Sequence, residues 1–187
     1  MPRVGLDPAS VVAAGAALAD EMGLANLTMG LLAERVGVRT PSLYKHVEGQ
    51  EDLNRRIAAL ALNEAADAVG GAVDGHAGRD ALAASARAFR TFVVEHPGRY
   101  AATIGVEPSG PDDPLAIAGQ RLLDAFTAVL RGYEIAEPDM DHALRLLRSL
   151  CHGFATLQAA NGFQRSADTD ESFEWLIAFT DRGLHAI

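Results

Sequence analysis

The chain has 187 residues, 49% of them hydrophobic, a single cysteine and a formal net charge of -9 at neutral pH. That length and composition suit one ordinary domain, or a small one joined to a larger, and exclude wholesale disorder and a disulfide framework. So negative a balance argues against non-specific coating of nucleic acid, and no apolar run nears the roughly 20 residues that cross a bilayer.

Alanine and leucine dominate while valine and isoleucine come singly, which favours helices over sheet. The amino end, MPRVGLDPAS, has one arginine and no apolar core. No signal peptide is expected, and a cytoplasmic protein is the simplest reading. Asp7-Pro8 joins an N-cap to a proline and predicts a helix along Val11, Ala14, Leu18 and Met22 that stops at Gly23. Thr28 caps a second, short helix, with Leu27 and Leu32 placed for a hydrophobic staple and Gly37 at its end. Thr40-Pro41 repeats the cap-then-proline device and predicts a third helix of about two turns, broken at Gly49. Glu51 and Asp52 open a fourth helix, whose buried face is Leu53, Ile57, Leu60 and Ala61 and which should end near Val69, before GGAVDGHAG. Downstream, the patterning predicts helices over 78–95, 98–104, from Pro114 to near Gly132, from Pro138 to Asn161-Gly162, and from Asp170 to the C-terminus. No stretch alternates with period two. The expected fold class is all-α.

Charge is unevenly spread. Residues 1–60 carry six basic and seven acidic groups, residues 61–187 ten and eighteen. Within the near-neutral part, RVGVRTPSLYKHV (residues 35–47) has three cations, a histidine, a tyrosine and no acid, and it holds Lys45, the only lysine of the chain. Ala33 and Gly37 are small residues at a tight turn, and Leu32, Val36, Val38, Leu43 and Val47 are the apolar clamp that a helix-turn-helix needs. That clamp leaves Pro41, Ser42, Tyr44 and Lys45 on the open side, with Arg39 and Thr40 at its N-terminal edge and His46 near its end. Such a helix offers base edges its N-terminal residues while hydroxyls, amides and cations hold phosphates. A second acid-free stretch, residues 142–167, spreads three arginines over twice the length without a tight turn and reads as structural.

GLANLTMGLLAERVGVRTPSLYKHVEGQEDL resembles the DNA-binding segment of the tetracycline-repressor (TetR) family of bacterial transcription regulators. The LTM opening, LAERVGV, PSLYKHV and the acidic-Leu pair fall in family order, and the match covers about residues 7–60. The resemblance implies a DNA-binding head over residues 1–50 and a helical ligand-binding and dimerisation body over 51–187, connected by the helix of about 51–69. It implies homodimers on a palindromic double-stranded operator, released by a small-molecule inducer. Thr40, Tyr44 and His46 match positions that hold phosphate, as does the N-cap Thr28; Arg39, Pro41, Ser42 and Lys45 match positions that contact bases or adjacent phosphates. Gln50 departs from the pattern, because the family often has a lysine there.

In the acidic remainder, Met140, Ala143, Leu144, Leu147, Leu150, Cys151, Phe154 and Leu157 form a wide stripe suited to a core and a partner subunit. The last helix puts Phe173, Leu176, Ile177 and Leu184 on one side and Trp175 and Phe179 on another. Two such helices per chain would build a dimer seam through Leu147, Leu150, Phe154, Phe173, Leu176 and Ile177. Phe89, Phe92, Tyr100, Phe126 and His152 are candidates for a ligand cavity, though aromatics at helical spacing more often pack a core. SLCHGFATLQAANGF resembles the C-terminal body of one subgroup of the same family. No enzyme is expected: Cys151 and His152 diverge on a helix, Asp139, Asp141 and His142 fit capping better than a metal, and no phosphate loop follows a strand. No catalytic residue, metal or cofactor is expected, nor a membrane partner. The reading from another class is a helical small-molecule carrier or enzyme with a vestigial head; a third is an interaction module that uses the acidic body.

Overall fold

A computed structural model describes residues 6–186; the expectation for the amino end concerns in part residues 1–5, outside the described residues. The helices are α1 (Pro8–Met22), α2 (Met29–Arg35), α3 (Thr40–Leu43), α4 (Gln50–Val73), α5 (Gly78–Glu95), α6 (Pro97–Ala101), α7 (Pro114–Leu130), α8 (Met140–Ala159) and α9 (Thr169–Leu184). Short 3-10 turns lie at Leu24–Asn26, Arg131–Tyr133 and Glu137–Asp139. Among the described residues there is no strand, and no helix is long and apolar enough to cross a membrane.

The chain divides into two compact units, one of residues 1–62 with 96–119, the other of 63–95 with 120–187. The first unit's core joins Val11, Leu18, Leu32, Leu43, Val47, Leu53 and Ile57 to Ala102 and Leu115. Burying each of the larger side chains contributes roughly 1.5–3 kcal/mol. Residues 96–119 thus pack with the amino-terminal helices although some 70 residues separate them in sequence. The docking point is α6. A Cβ built on Gly98 would lie 1.8 Å from the carbonyl oxygen of Ala19 on α1, so only glycine fits there. Beside it, the backbone N–H of Arg99 donates to Asp20 Oδ1 (2.8 Å), and Arg99 Nε donates to Asp20 Oδ2 (2.7 Å).

In the second unit, α5, α8 and α9 pack on one another around Phe89, Leu147, Cys151, Phe173, Ile177 and Leu184. Arg90 on α5 donates to Gln158 on α8 and to Asp170 on α9, its guanidinium 4.8 Å from the centre of the Phe173 ring. Arg87 pairs with Glu174, and Arg121 on α7 with Asp67 on α4.

Several boundaries differ from the sequence expectation. Helix α3 is one turn, because beyond Leu43 the amides of Lys45 and His46 bond three residues back, although Val47 still donates to Leu43. Its N-cap is Arg39 rather than Thr40, and no side chain caps it. Helix α4 runs through Gly70 and Gly71 to Val73, four residues beyond Val69, since the buried Ala65, Ala66 and Val69 hold that stretch against the core. Asp139 precedes α8 without a side-chain capping bond, its backbone already in a helical conformation from the 3-10 turn before it. Leu147, Phe173 and Ile177 are 1%, 0% and 2% exposed within the single chain. Side chains with no exposed area have none left to bury against a partner, which corrects their assignment to a dimer seam. Leu150, Phe154 and Leu176 are half-buried.

Candidate nucleic-acid interface

The turn between α2 and α3 is set by backbone hydrogen bonding. The N–H of Gly37 donates to Glu34 and that of Val38 to Ala33, the paired bonds of a Schellman stop. Gly37 has φ +70°, a left-handed conformation that costs a side chain about 1 kcal/mol or more. Thr28 opens α2 by accepting from the amide of Leu31 at 3.3 Å, and the staple residues Leu27 and Leu32 are both buried. Leu43 and Val47, 0% and 2% exposed, fix the inward side of the α3 segment.

With that side fixed, the expected contact residues fall outward. Tyr44 is 55% exposed, Arg39, Pro41, Lys45 and Thr28 are exposed, and Thr40, Ser42 and His46 are half-buried. The segment from Arg39 to His46 therefore brings hydroxyls, an imidazole and two cations onto one solvent-facing stretch; Thr28 stands at the start of the preceding helix.

Ion pairing separates these cations from their neighbours. Arg35 pairs with Glu21, Arg55 with Asp113, Arg56 with Asp52 and Arg99 with Asp20. Among the described residues of the first unit, Arg39 and Lys45 are the only arginine and lysine without a carboxylate partner. Their charge faces solvent uncompensated. Asp7, which caps α1, has its carboxyl below the usual range, chiefly through the amide of Ser10 and in small part through His46.

The expected ligand residues are spread over both units. Tyr100 lies on α6 in the first unit, whereas Phe89, Phe92, Phe126 and His152 belong to the second. There, Phe89 and Phe126 meet edge to face, 5.7 Å between ring centres, and both are buried as core packing. A cavity of about 300 Å³ in the second unit is lined instead by His76, Arg79, Arg87, Glu174 and Ile177 among others. His152 is half-buried, its pKa lowered by burial and then by Arg148. Cys151 is buried and its thiol is pushed up to about 12 by desolvation, the opposite of an activated nucleophile. What sequence reasoning missed is the positioning set of Asp20, Gly98 and Arg99. The HPGRY string holds a proline and glycine at a helix start, but nothing in it names Ala19 as the neighbour.

Comparisons with known proteins identify the family. The model of the family described as Tetracyclin repressor-like, C-terminal domain matches residues 82–180. The uncharacterized HTH-type transcriptional regulator YobS of Bacillus subtilis is 34% identical over 98% of this chain and 95% of its own length. Among solved structures, a TetR variant from Acinetobacter baumannii AYE in complex with minocycline superposes with a TM-score of 0.75 at 23% identity, over 97% of this chain and 98% of that one. The protein BioQ with its double-stranded DNA operator gives 0.72 at 24% identity, over 98% and 100%. A family match over more than half of the chain, and a relative of such identity along nearly all of it, place this chain in the TetR family of transcriptional regulators.

Proposed function

We propose that the chain is a ligand-responsive repressor that binds a palindromic operator as a homodimer in the cytoplasm and leaves it when a small-molecule inducer binds. The observation that carries the DNA-binding part is the unpaired charge of Arg39 and Lys45 beside exposed Tyr44, on a segment whose other side is locked by Leu43 and Val47. Thr28, Thr40, Tyr44 and His46 hold phosphates; Arg39, Pro41, Ser42 and Lys45 reach bases or the phosphates next to them. BioQ, similar in fold, is known with its operator, which supports this reading.

Residues 1–50 form the DNA-binding domain and 51–187 the ligand and dimer domain, with the first part of α4 as the connection. The dimer seam uses the outer faces of α8 and α9, where Leu146, Leu157, Trp175 and Phe179 are all more than 45% exposed and the Trp175 and Phe179 rings stack 5.4 Å apart. The inducer occupies the second unit; that a protein of similar fold is known in complex with minocycline supports a small-molecule ligand. It acts only through a difference in affinity between DNA-competent and incompetent states. Selection of bound sequences from random double-stranded DNA tests the reading. The expected product is an inverted repeat with half-sites one helical turn, about 10 base pairs, or a multiple apart. Failure to enrich any sequence favours the carrier with a vestigial head.

A further inference from the structure

The first unit contains a cleft of about 710 Å³, and none of the proposed DNA-contact residues lines it. Small-molecule sites usually have roughly 300–1,000 Å³. One wall is the start of α4, with Gln50, Glu51 and Asn54; the other is the loop after α6, with Ile104 and Glu107; Leu24 joins them from the turn after α1.

Its charges do not cancel. Arg55 also lines the cleft, but its guanidinium is engaged, donating to the Glu107 carbonyl (2.8 Å) and to Asp113 (2.5 Å). Asp113 accepts in addition from Ser109 and from the amide of Leu115, which hold its pKa down to about 2 and keep it charged opposite Arg55. The two charges that remain are Glu51 and Glu107, both exposed and, among the described residues, without an ion-pair partner. The amides of Gln50 and Asn54 are bonded to each other at 2.9 Å. Ile104 is 52% exposed, beside half-buried Leu24 and Val106, so an apolar wall is left in water.

We infer that this cleft binds a small organic monocation, an arylalkyl ammonium, with its apolar body against Ile104 and Leu24 and its ammonium between Glu51 and Glu107. An anion meets two carboxylates there with Arg55 already neutralised, and a neutral hydrocarbon leaves both carboxylates partly desolvated without compensation. The site is separate from the inducer site of the second unit, and titration without DNA tests it independently of operator binding.

The experiment titrates the full chain with 1-naphthylmethylammonium, followed by the probe's fluorescence, against 1-naphthylacetate, which has the same ring and the opposite charge. The cation should bind saturably and the anion at least about tenfold more weakly. The double variant Glu51→Gln, Glu107→Gln should lose about tenfold for the cation, as two exposed ion pairs imply, and Ile104→Asn should weaken it too. Equal affinity for the two probes, no binding of the cation, or an affinity unchanged in the double variant would overturn the inference.

Discussion

Replacing Gly98 with alanine separates two physical effects of opposite sign. By helix propensity alone, glycine to alanine in a helix gains about 0.5–1 kcal/mol. At Gly98 the added Cβ would stand 1.8 Å from Ala19 O, 2.0 Å from Ala19 C and 2.5 Å from Asp20 N. These are backbone atoms, so no side chain can rotate away. Reaching even 3.0 Å requires α6 to retreat by about 1.2 Å (3.0 minus 1.8), in a core packed as densely as an organic crystal. A retreat of that size stretches the 2.8 Å bond from the Arg99 amide to Asp20 out of hydrogen-bonding range. Overpacking costs about 1–3 kcal/mol and the charge-assisted bonds about 1.5–3 more, so the net destabilisation after the propensity gain is about 1.5–5.5 kcal/mol. Gly70→Ala supplies the internal control, because a Cβ at Gly70 on α4 meets nothing within 4 Å and should stabilise by a few tenths to about 1 kcal/mol. Urea denaturation followed by helical circular dichroism measures both. A Gly98→Ala midpoint equal to or above that of the native chain would refute the argument that α6 is docked backbone to backbone on α1.

Lys45→Ala should weaken operator binding across sequences and reduce the slope of log affinity against log salt by about one for each phosphate that is no longer neutralised; an unchanged slope rules out a phosphate bound by Lys45. Asp113 has a folded pKa of about 2 against an ordinary value of 3.8, so its contribution to stability is complete above the unfolded value and lost as pH falls through the folded one. Between about pH 4 and pH 2 the denaturation midpoint of the native chain should therefore fall more steeply than that of Asp113→Asn. With its side chain buried and its thiol pushed up to about 12, Cys151 should not react with a disulfide reagent at about pH 8 until denaturant is added; fast labelling of the native chain would show that α8 opens locally.

Local signals determined much of this protein. Asp7-Pro8 and Thr28 are caps whose side-chain oxygens bond amides within three residues, and Gly37 is the left-handed stop that ends α2. Each acts over a single turn and is written in neighbouring residues. The outward face of the α3 segment is equally local, because burying Leu43 and Val47 leaves Tyr44 and Lys45 no direction but solvent. The resemblance to the TetR family rests on that same stretch.

Long-range contacts belonged to the tertiary structure. Hydrophobic periodicity marks a face as apolar without naming what covers it, so Leu147, Phe173 and Ile177 read as interface residues until packing placed them in the chain's own core. The same ambiguity hid the docking of Gly98 on Ala19 and the pairing of Asp20 with Arg99, which lie 79 positions apart. Helix α4 passed through two glycines because burial of Ala65, Ala66 and Val69 outweighed their weak propensity. Whether a cation is available to a ligand was likewise decided in three dimensions. Arg35, Arg55 and Arg39 look alike in sequence, and only the positions of Glu21 and Asp113 show that the first two are already paired while Arg39 is not.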